Sequence, residues 1–365
     1  MLIDHTRMRA ILAAMCVAGG SDADEADIVA GHLVEANLKG HDSHGIGMMP
    51  RYAGFLPRGV LKPNIHARIV VDTPPMLLVD GGHGYGQVVA MEATEMAIAR
   101  ARDHGASILS LRNANHIGRV GTYGERCASA GMISIHFVNA HGHAPRVAPY
   151  LGSQSRLSTN PFCCAIPTGN PDEPIVLDMA TATIAMGKVR VAKNKGEPVA
   201  EGVLMDHTGA PTTDPNVMFN TPMGALRAFG LHKGYGLSLI CDLLAGALSG
   251  GGSVLPENQV DNTIVNNMLA IVIDPARFRD TGELSAEIDA MAAYCKSATP
   301  ANPDEPVLVP GEPERAMRAK RIAQGVPLDD ATWEELIAAA QTLGIDRARM
   351  NAMAHANHGE TEQNS

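Results

Sequence analysis

The stretch Gly81-Gly82-His83-Gly84-Tyr85-Gly86-Gln87 decides whether this mixed chain of helices and strands has a Rossmann fold or a different arrangement of them. It lies between a strand-like apolar run, Met76–Val79, and an Ala- and Met-rich helical run, Val88–Ala101, where a Rossmann fold carries Gly-x-Gly-x-x-Gly. Counted from Gly82 the third glycine position holds Gln87, and counted from Gly84 it holds Val89. The absent glycine is the one that lets helix and strand pack closely. The stretch therefore predicts a turn that shapes the backbone rather than an ordinary dinucleotide site.

The remaining chain alternates between helix-like and strand-like patterns. Apolar runs and helical periodicity predict strands over 67–71, 76–79, 106–111, 132–138, 175–177 and 268–273, and helices over 22–39, 44–56, 88–101, 122–130, 233–248 and 333–342. The fold class is therefore α/β (α+β), with helices concentrated at both ends of the chain. We expect residues 1–75 and 315–365 to form one discontinuous helical domain, and residues 76–314 to form a second domain. The tail after His355 is predicted to be disordered.

Composition excludes several classes of protein. With 365 residues and 45% hydrophobic content, the chain predicts a globular protein with an ample core. Its formal charge of -10 and aromatic content of 4% argue against nucleic-acid binding. Six cysteines lack a C-x-x-C spacing, which predicts reduced core thiols in a cytoplasmic protein. The apolar run Ile11–Ala18 lies between acidic segments, so we expect an amphipathic helix there and neither an export signal nor a membrane span.

Two short histidine motifs carry the chemical signal. They are His41-Asp42-Ser43-His44-Gly45 and Asn113-Ala114-Asn115-His116-Ile117-Gly118-Arg119. Small polar residues around an imidazole at the boundary of an element suit a general acid, which carbonyl reduction requires. We expect His44 at a helix N-terminus with Ser43 as its cap, and His116 at a strand end. The alternatives without catalysis are a side chain that caps its turn and a hydrogen bond within a loop.

The helix that precedes the first motif has its own signals. Ser21-Asp22-Ala23-Asp24 matches a capping box, Ile28, Leu33 and Ala36 are expected to face inward, and Gly40 is the predicted stop. His41 and His44 are three residues apart, a spacing that two metal ligands on a helix can use. No motif places a third ligand near them, so no metal site is predicted. The role of His141-Gly142-His143 stays open.

Four further segments occur between and after these motifs. Ser158-Thr159-Asn160-Pro161-Phe162 precedes an apolar strand, and Leu177-Asp178-Met179-Ala180-Thr181-Ala182 leads into Gly187-Lys188-Val189. His232-Lys233-Gly234-Tyr235-Gly236-Leu237 and Pro310-Gly311-Glu312 each open a helix. A lysine at a helix start is unfavourable unless an anion binds there, so Lys233 predicts contact with phosphate or carboxylate.

Together, the six segments resemble the malate/L-lactate dehydrogenase family that lacks a Rossmann fold, which includes ureidoglycolate dehydrogenase, diketogulonate reductase and sulfolactate dehydrogenase. The resemblance covers roughly positions 5–350 in the same motif order. Through His41–Met49 and Leu248–Gly252 the chain is most similar to the bacterial hydroxycarboxylate dehydrogenase B branch. The resemblance implies a homodimer that transfers hydride between NAD or NADP and a 2-oxo or 2-hydroxy acid. It also implies a nicotinamide-binding domain on a mostly antiparallel sheet beside the helical domain, with the active site between the two.

The resemblance also assigns residues by position. It implies His44 or His116 as the proton donor, and a substrate site that includes Ser43, Met48, Tyr52 and Arg119. The implied cofactor contacts are Thr159, Asn160, Pro161, Asp178, Met179, Ala180, Thr181, His232, Lys233, Pro310, Gly311 and Glu312.

One position departs from the family pattern. Many members have an arginine where this chain has Met48, and Arg51, the next arginine, is rotated well around the helix from it. A dicarboxylate substrate is therefore disfavoured, and a 2-oxo acid with an apolar or aromatic tail is favoured. Two other functions stay open from the residues alone: a metal-dependent hydrolase or aldolase with the histidines as ligands, and a cofactor-binding protein without turnover.

Overall fold

The computed structural model describes residues 1–260 and 262–355. The chain divides into two compact units, Met1–Asn64 with the described residues from Glu314 on, and Ile65–Pro313. The helices are α1 (His5–Ala18), α2 (Ala23–Leu38), α3 (Met49–Phe55), α4 (Gly86–His104), α5 (Gly121–Ser129), α6 (Met186–Lys195), α7 (His232–Cys241), α8 (Thr281–Lys296), α9 (Glu312–Gln324), α10 (Asp330–Thr342) and α11 (Arg347–His355). No described helix is both long and apolar enough to cross a membrane.

The strands form three sheets. They are β1 (Leu2–Ile3), β2 (Arg68–Thr73), β3 (Met76–Asp80), β4 (Ala106–Asn115), β5 (Ile133–His141), β6 (Phe162–Ile166), β7 (Ile175–Met179), β8 (Leu204–Met205), β9 (Pro211–Thr212), β10 (Ala225–Leu226), β11 (Val265–Ile273) and β12 (Val326–Pro327). The sheet orders are β1-β12, β10-β8-β9 and β2-β3-β4-β11-β5-β6-β7. Every strand expected from the sequence is present, and the tail predicted after His355 lies outside the described residues.

The first unit is mainly helical. In α1 the residues Ile11 and Leu12 are fully buried, so the apolar run at the start of the chain belongs to the core. Asp22, not Ser21, caps α2 by accepting the N–H of Glu25. Leu33 and Ala36 face inward as expected, whereas Ile28 is exposed and that prediction was wrong.

The second unit is built on the seven-stranded sheet. Among its neighbouring strands only β3 and β4 run parallel, joined by α4, and the other pairs are antiparallel. A doubly wound dinucleotide-binding sheet is built mostly of parallel strands instead. Alternate residues of the strands, such as Leu109 and Val138, pack under α4 and α5 in one buried core. Residues 65–75, which the sequence assigned to the helical domain, belong here because β2 pairs with β3.

A second, smaller core supports the end of this unit. It packs Val147, Leu157 and Leu226 beside the three-stranded sheet and α6. The helix predicted over 233–248 is α-helical only as far as Cys241 and continues as a π-helical segment over Asp242–Ala247. π-Helical segments are rare in proteins, and many of those that occur lie at functional sites.

Candidate active site

The glycine-rich turn uses its N–H groups inside the protein. Gly81 and His83 donate to the carbonyls of Arg112 and Asn113 on β4, and Gly82 donates to the Asp80 carboxylate at 2.9 Å. A Cβ on Gly86 would lie 2.2 Å from the Asn115 carbonyl oxygen, so only glycine lets α4 begin this close to the end of β4. These contacts favour the backbone-shaping interpretation, because the N–H groups of Gly81, Gly82 and His83 are already bonded within the protein.

The turn supports the second histidine motif. β4 ends at Asn115, so His116 follows a strand end as predicted. Its side chain is largely buried, and its peptide N–H donates to the Asn115 side chain at 2.9 Å. The next peptide N–H, of Ile117, donates to the Asn266 side chain of β11 at 3.0 Å. The backbone on both sides of the imidazole is therefore fixed by asparagine side chains.

Arg119 at the end of this motif is held by two carboxylates. Its side chain is 1% exposed and lies 2.9 Å from Glu125 and 3.5 Å from Asp178. Burial alone lowers the pKa of the guanidinium, but the two carboxylates outweigh it and raise the pKa above its ordinary value. Its charge is already balanced within this unit, so the geometry favours a structural ion pair over the substrate contact expected from the sequence.

Three of the four segments predicted to contact the cofactor come together. The Thr159 carbonyl accepts both the N–H and the hydroxyl of Thr181, each at 2.9 Å. The Thr181 carbonyl accepts the N–H of Phe229, whose own carbonyl accepts the N–H of Gly234 in α7. A chain of backbone bonds thus links the 159–161, 178–181 and 232–233 segments. The fourth, 310–312, joins at β7, where the N–H of Val176 donates to Pro310.

Individual side chains in these segments differ in availability. The Asp178 carboxylate accepts the N–H of Gly121 at the start of α5 at 2.8 Å. Asn160 is fully buried. Its side-chain oxygen accepts the N–H of Ala140, and its amide nitrogen donates to the Ser238 carbonyl. Both ends of the Asn160 side chain are used to tie β5 to α7. A direct cofactor contact by that side chain is therefore not favoured. Glu312 pairs with Lys296 and accepts the N–H of Val309.

The beginning of α7 has the properties of an anion site. His232 and Lys233 are exposed there, no side chain caps the helix, and Lys233 forms no ion pair with any residue in the described ranges. The exposed ammonium group of Lys233 at this helix start fits a phosphate group of a nicotinamide dinucleotide. The donor set therefore suits the cofactor that the sequence implied, without a glycine fingerprint.

The first histidine motif lies in the helical unit, on a single 3₁₀ turn over Asp42–His44. His44 ends that turn and does not begin a helix, so the expected N-terminal position was wrong. Ser43 does not cap α3, whose N-cap is Met48 without a side-chain bond. Met48 and Tyr52 are buried in this unit.

Residues far along the chain hold this turn. The Asn37 amide donates to Asp42 at 2.6 Å, and its oxygen accepts the N–H of Ile46 at 2.7 Å. Arg321 of α9 donates to both carboxylate oxygens of Asp42, at 2.6 and 3.0 Å. A Cβ on Gly45 would lie 2.0 Å from the Asn37 side-chain oxygen. Gly45 was a visible signal in the sequence, but nothing there indicated Asn37 or Arg321.

The sequence left the roles of His141 and His143 open, and the Nδ1 of His143 lies 2.9 Å from the Ala144 carbonyl oxygen. His141 ends β5 and is largely buried, with its Nδ1 3.4 Å from the Asn258 carbonyl oxygen. Burial lowers the pKa of this imidazole, although nearby carbonyls and Asp242 oppose the shift. In residues 1–260 and 262–355 no group of three or more His, Cys, Asp or Glu side chains is arranged to hold a metal ion. His41 lies 3.5 Å from Glu314 instead.

Comparison with known proteins gives a consistent result. A family model described as malate/L-lactate dehydrogenase matches residues 3–337. The chain is 44% identical to hydroxycarboxylate dehydrogenase B of Escherichia coli O157:H7 over 95% of both chains, and 40% identical to an L-lactate dehydrogenase of Cupriavidus necator over 94% of this chain and 99% of that one. A solved structure of an E. coli protein described as a candidate malate/lactate dehydrogenase superimposes with a TM-score of 0.92 at 42% identity, covering 97% of this chain and 98% of that one.

Proposed function

Because the chain belongs to the malate/L-lactate dehydrogenase family, we propose that it interconverts a 2-oxo acid and a 2-hydroxy acid with NAD or NADP. The relatives are named for hydroxycarboxylates and lactate, which supports this substrate class. The comparisons give no support to the metal-dependent hydrolase or aldolase. The observation that carries the proposal is His116, held in a polar turn at the end of β4, in a motif whose Arg119 lies 3.5 Å from Asp178 of the linked segments.

The bound nicotinamide supplies or accepts the hydride at substrate C2. The residues of this chain supply the rest. Lys233 at the start of α7 would bind the pyrophosphate through its charge, and the backbone around Thr159 and Thr181 would line the path of the cofactor. An imidazole, of His44 or His116, gives a proton to the substrate oxygen during reduction and takes it back during oxidation. The asparagine bonds fix the backbone of each turn, and a fixed backbone limits the displacement of the imidazole, as proton transfer requires.

Met48 supports a preference among 2-oxo acids. If this buried thioether lines the substrate site, it cannot donate a hydrogen bond to a distal carboxylate, and leaving that carboxylate unpaired costs several kcal/mol. An apolar tail gains about 25 cal/mol per Å² of surface that it buries there. The preferred substrates are therefore phenylpyruvate-like or branched 2-oxo acids rather than oxaloacetate.

A substrate panel tests the function. Purified protein is incubated with NADH or NADPH and with pyruvate, oxaloacetate, phenylpyruvate or a branched 2-oxo acid, and cofactor absorbance is followed. We expect oxidation with at least one acid, fastest with an apolar tail. Tight NADPH binding without oxidation across the panel would favour an inert cofactor-binding protein. Loss of activity on chelation, with stoichiometric metal, would favour the hydrolase.

Two substitutions separate the histidines. If His44 is the proton donor, His44→Ala lowers kcat by roughly 100-fold or more and leaves cofactor affinity nearly unchanged. His116→Ala is made in parallel and measured with the same 2-oxo acid. Near-normal activity of His44→Ala together with an inactive His116→Ala assigns the proton to His116.

We further propose a homodimer, which the exposed apolar surface of the second unit supports. Leu239, Ile240 and Leu243 along α7 and its π-helical continuation are each more than a third exposed, as is Ile108 on the sheet. Several exposed apolar side chains on one helical segment are typical of a protein interface. Light scattering should give twice the chain mass, and Leu243→Glu should shift it towards the monomer. The six free cysteines, five of them wholly or partly buried, support a reducing, cytoplasmic location.

A further inference from the structure

Strand β4, which ends directly before His116, contains one extra residue relative to its neighbour β11. β11 pairs Asn266 with Ala114 and Met268 with Leu111, so one residue of β11 faces two residues of β4. Asn113 takes up the difference with φ 55°, a left-handed conformation that asparagine tolerates better than most residues. The pairing of β11 with β5 on its other side is regular. Bulges of this type bend a strand and redirect the side chains beyond them.

Two adjacent asparagines of β11 hold the bulged strand on both sides of His116. The Asn267 oxygen accepts the N–H of Asn113 at 2.9 Å, and the Asn266 oxygen accepts the N–H of Ile117 at 3.0 Å. These two peptide groups lie three residues before and one residue after the imidazole. Neither bond belongs to the regular ladder of the sheet, so both exist only because side-chain amides stand at these positions.

Both asparagines are anchored to a third one on β5. The Asn267 amide donates to the Asn139 side-chain oxygen at 3.0 Å, and the Asn266 amide donates to the Asn139 carbonyl at 2.8 Å. Asn139 in turn donates to Asp242 in the π-helical segment at 3.0 Å, and Asp242 also accepts the N–H of Val254. All four side chains are at least 96% buried. A buried polar network of this kind is rigid when its members are bonded.

Glycines make room for the network. A Cβ on Gly251 would lie 2.1 Å from the Asn267 side-chain oxygen, and a Cβ on Gly246 would lie 2.5 Å from the Asn139 amide nitrogen. The stretch from Asp242 to Gly251 therefore both leaves room for the asparagine side chains and supplies the carboxylate that accepts from Asn139. Because Asp242 follows directly on α7, the network connects the element that begins at His232 with the strand end that carries His116.

We propose that Asn266 and Asn267 are positioning residues that aim the His116 imidazole by fixing the peptide groups on either side of it. The proposal deepens the proposed function, because it assumes that His116 belongs to the reacting site. The backbone pairing of β11 with β5 is regular and does not involve these side-chain amides. Their side-chain oxygens accept from the two ends of one five-residue segment, 113–117, in which His116 is the one titratable side chain.

Asn266→Ala is the principal test, with Val272→Ala as its matched control. Val272 is fully buried at the other end of β11, so its truncation destabilises the same sheet without touching the 113–117 segment. With the best 2-oxo acid of the panel, Asn266→Ala should lower kcat by roughly 100-fold, the effect of a small misplacement. Val272→Ala should keep kcat near that of the unmodified protein. Equal kcat in the two variants, at equal melting temperature, would overturn the proposal.

A double variant separates positioning from general damage. In a His116→Ala background, Asn266→Ala should cause little further loss of kcat, because the group that it aims is absent. A full additional loss would show that Asn266 acts elsewhere.

A measurement independent of turnover keeps the two proposals apart. In protein labelled with ¹³C-histidine, the His116 ring resonance is assigned by its loss in His116→Ala and followed through a pH titration. The proposal expects its shift or titration midpoint to change in Asn266→Ala and in Asn267→Ala, and to stay unchanged in Val272→Ala. An unmoved resonance refutes the positioning, whatever the activity. Full activity of His116→Ala would instead refute a catalytic role of His116 and leave the spectroscopic test in force.

Discussion

One buried histidine should make the second unit sensitive to acid. His136 lies on β5 with no exposed surface, and its Nε2 is 2.9 Å from the Ser134 hydroxyl. Its Nδ1 is buried and has no hydrogen-bond partner in the described ranges. Burial lowers the pKa of this imidazole from 6.5 to about 4. The native protein therefore keeps His136 neutral at a pH where the unfolded chain has already protonated it.

The sign and size of the effect follow from linkage. The folded-state pKa is below the unfolded value, so the contribution to stability is complete above pH 6.5 and is lost as the pH falls towards 4. A difference of this size, at 1.36 kcal/mol for each pKa unit, corresponds to about 3 kcal/mol. A loss of that order is a large share of the stability of an ordinary domain.

The assay compares His136→Gln with the unmodified protein by urea unfolding between pH 8 and pH 4. Glutamine keeps a polar group near Ser134 but cannot take up a proton in this range. The difference in unfolding free energy between the two proteins should therefore change by about 3 kcal/mol across the interval, in favour of the variant at low pH. His104→Gln, at an exposed position of α4, serves as the control for the chemical change from histidine to glutamine. Parallel curves for His136→Gln and the unmodified protein would refute the reasoning.

Three further substitutions test the turns and the substrate site. Gly45→Ala should cost about 1–3 kcal/mol of stability and lower kcat, because its Cβ would displace the Asn37 side chain from Ile46; calorimetry and turnover measure this. Gly86→Ala should be at least as damaging in a urea titration, since its Cβ would meet the Asn115 carbonyl, which is backbone and cannot rotate away. Met48→Arg should raise the kcat/KM ratio of oxaloacetate to phenylpyruvate by more than about tenfold. If the unmodified enzyme already prefers oxaloacetate, the reasoning from Met48 is wrong.

The order and type of the elements could be predicted from the sequence because they depend on local patterns. The run 106–111 alternates in burial, and Gly105 ends α4 in a left-handed conformation. The failed glycine fingerprint was equally informative, since the turn around Gly82 uses its donors on β4. Each of these signals lies within a few residues of the feature that it determines.

The features that local patterns missed depend on distant partners. Asn267 is 154 positions from Asn113, whose N–H it accepts, and Arg321 is 279 positions from Asp42. The expected N-terminal position of His44 failed for a related reason. The chain after Leu38 folds into single 3₁₀ turns, because Asn37 and Arg321 supply bonds that a longer helix would have supplied itself. The residue pattern within the motif gives no indication of Asn37 or Arg321 as its partners.

The two histidine turns nevertheless share one construction. In the first unit the Asn37 side-chain oxygen accepts the N–H of Ile46. The adjoining Gly45 leaves room for this oxygen, since a Cβ there would lie only 2.0 Å from it. In the second unit the Asn267 side-chain oxygen accepts the N–H of Asn113, and a Cβ on Gly251 would lie only 2.1 Å from that oxygen. A short side-chain amide that bonds the backbone, and a glycine that leaves room for this amide, thus hold the peptide groups near each imidazole. Rigid support of this kind is what proton transfer to one substrate oxygen requires, since a small displacement of the donor costs much of the rate. The asparagines and glycines around His44 and His116 are therefore as much a part of the proposed chemistry as the histidines.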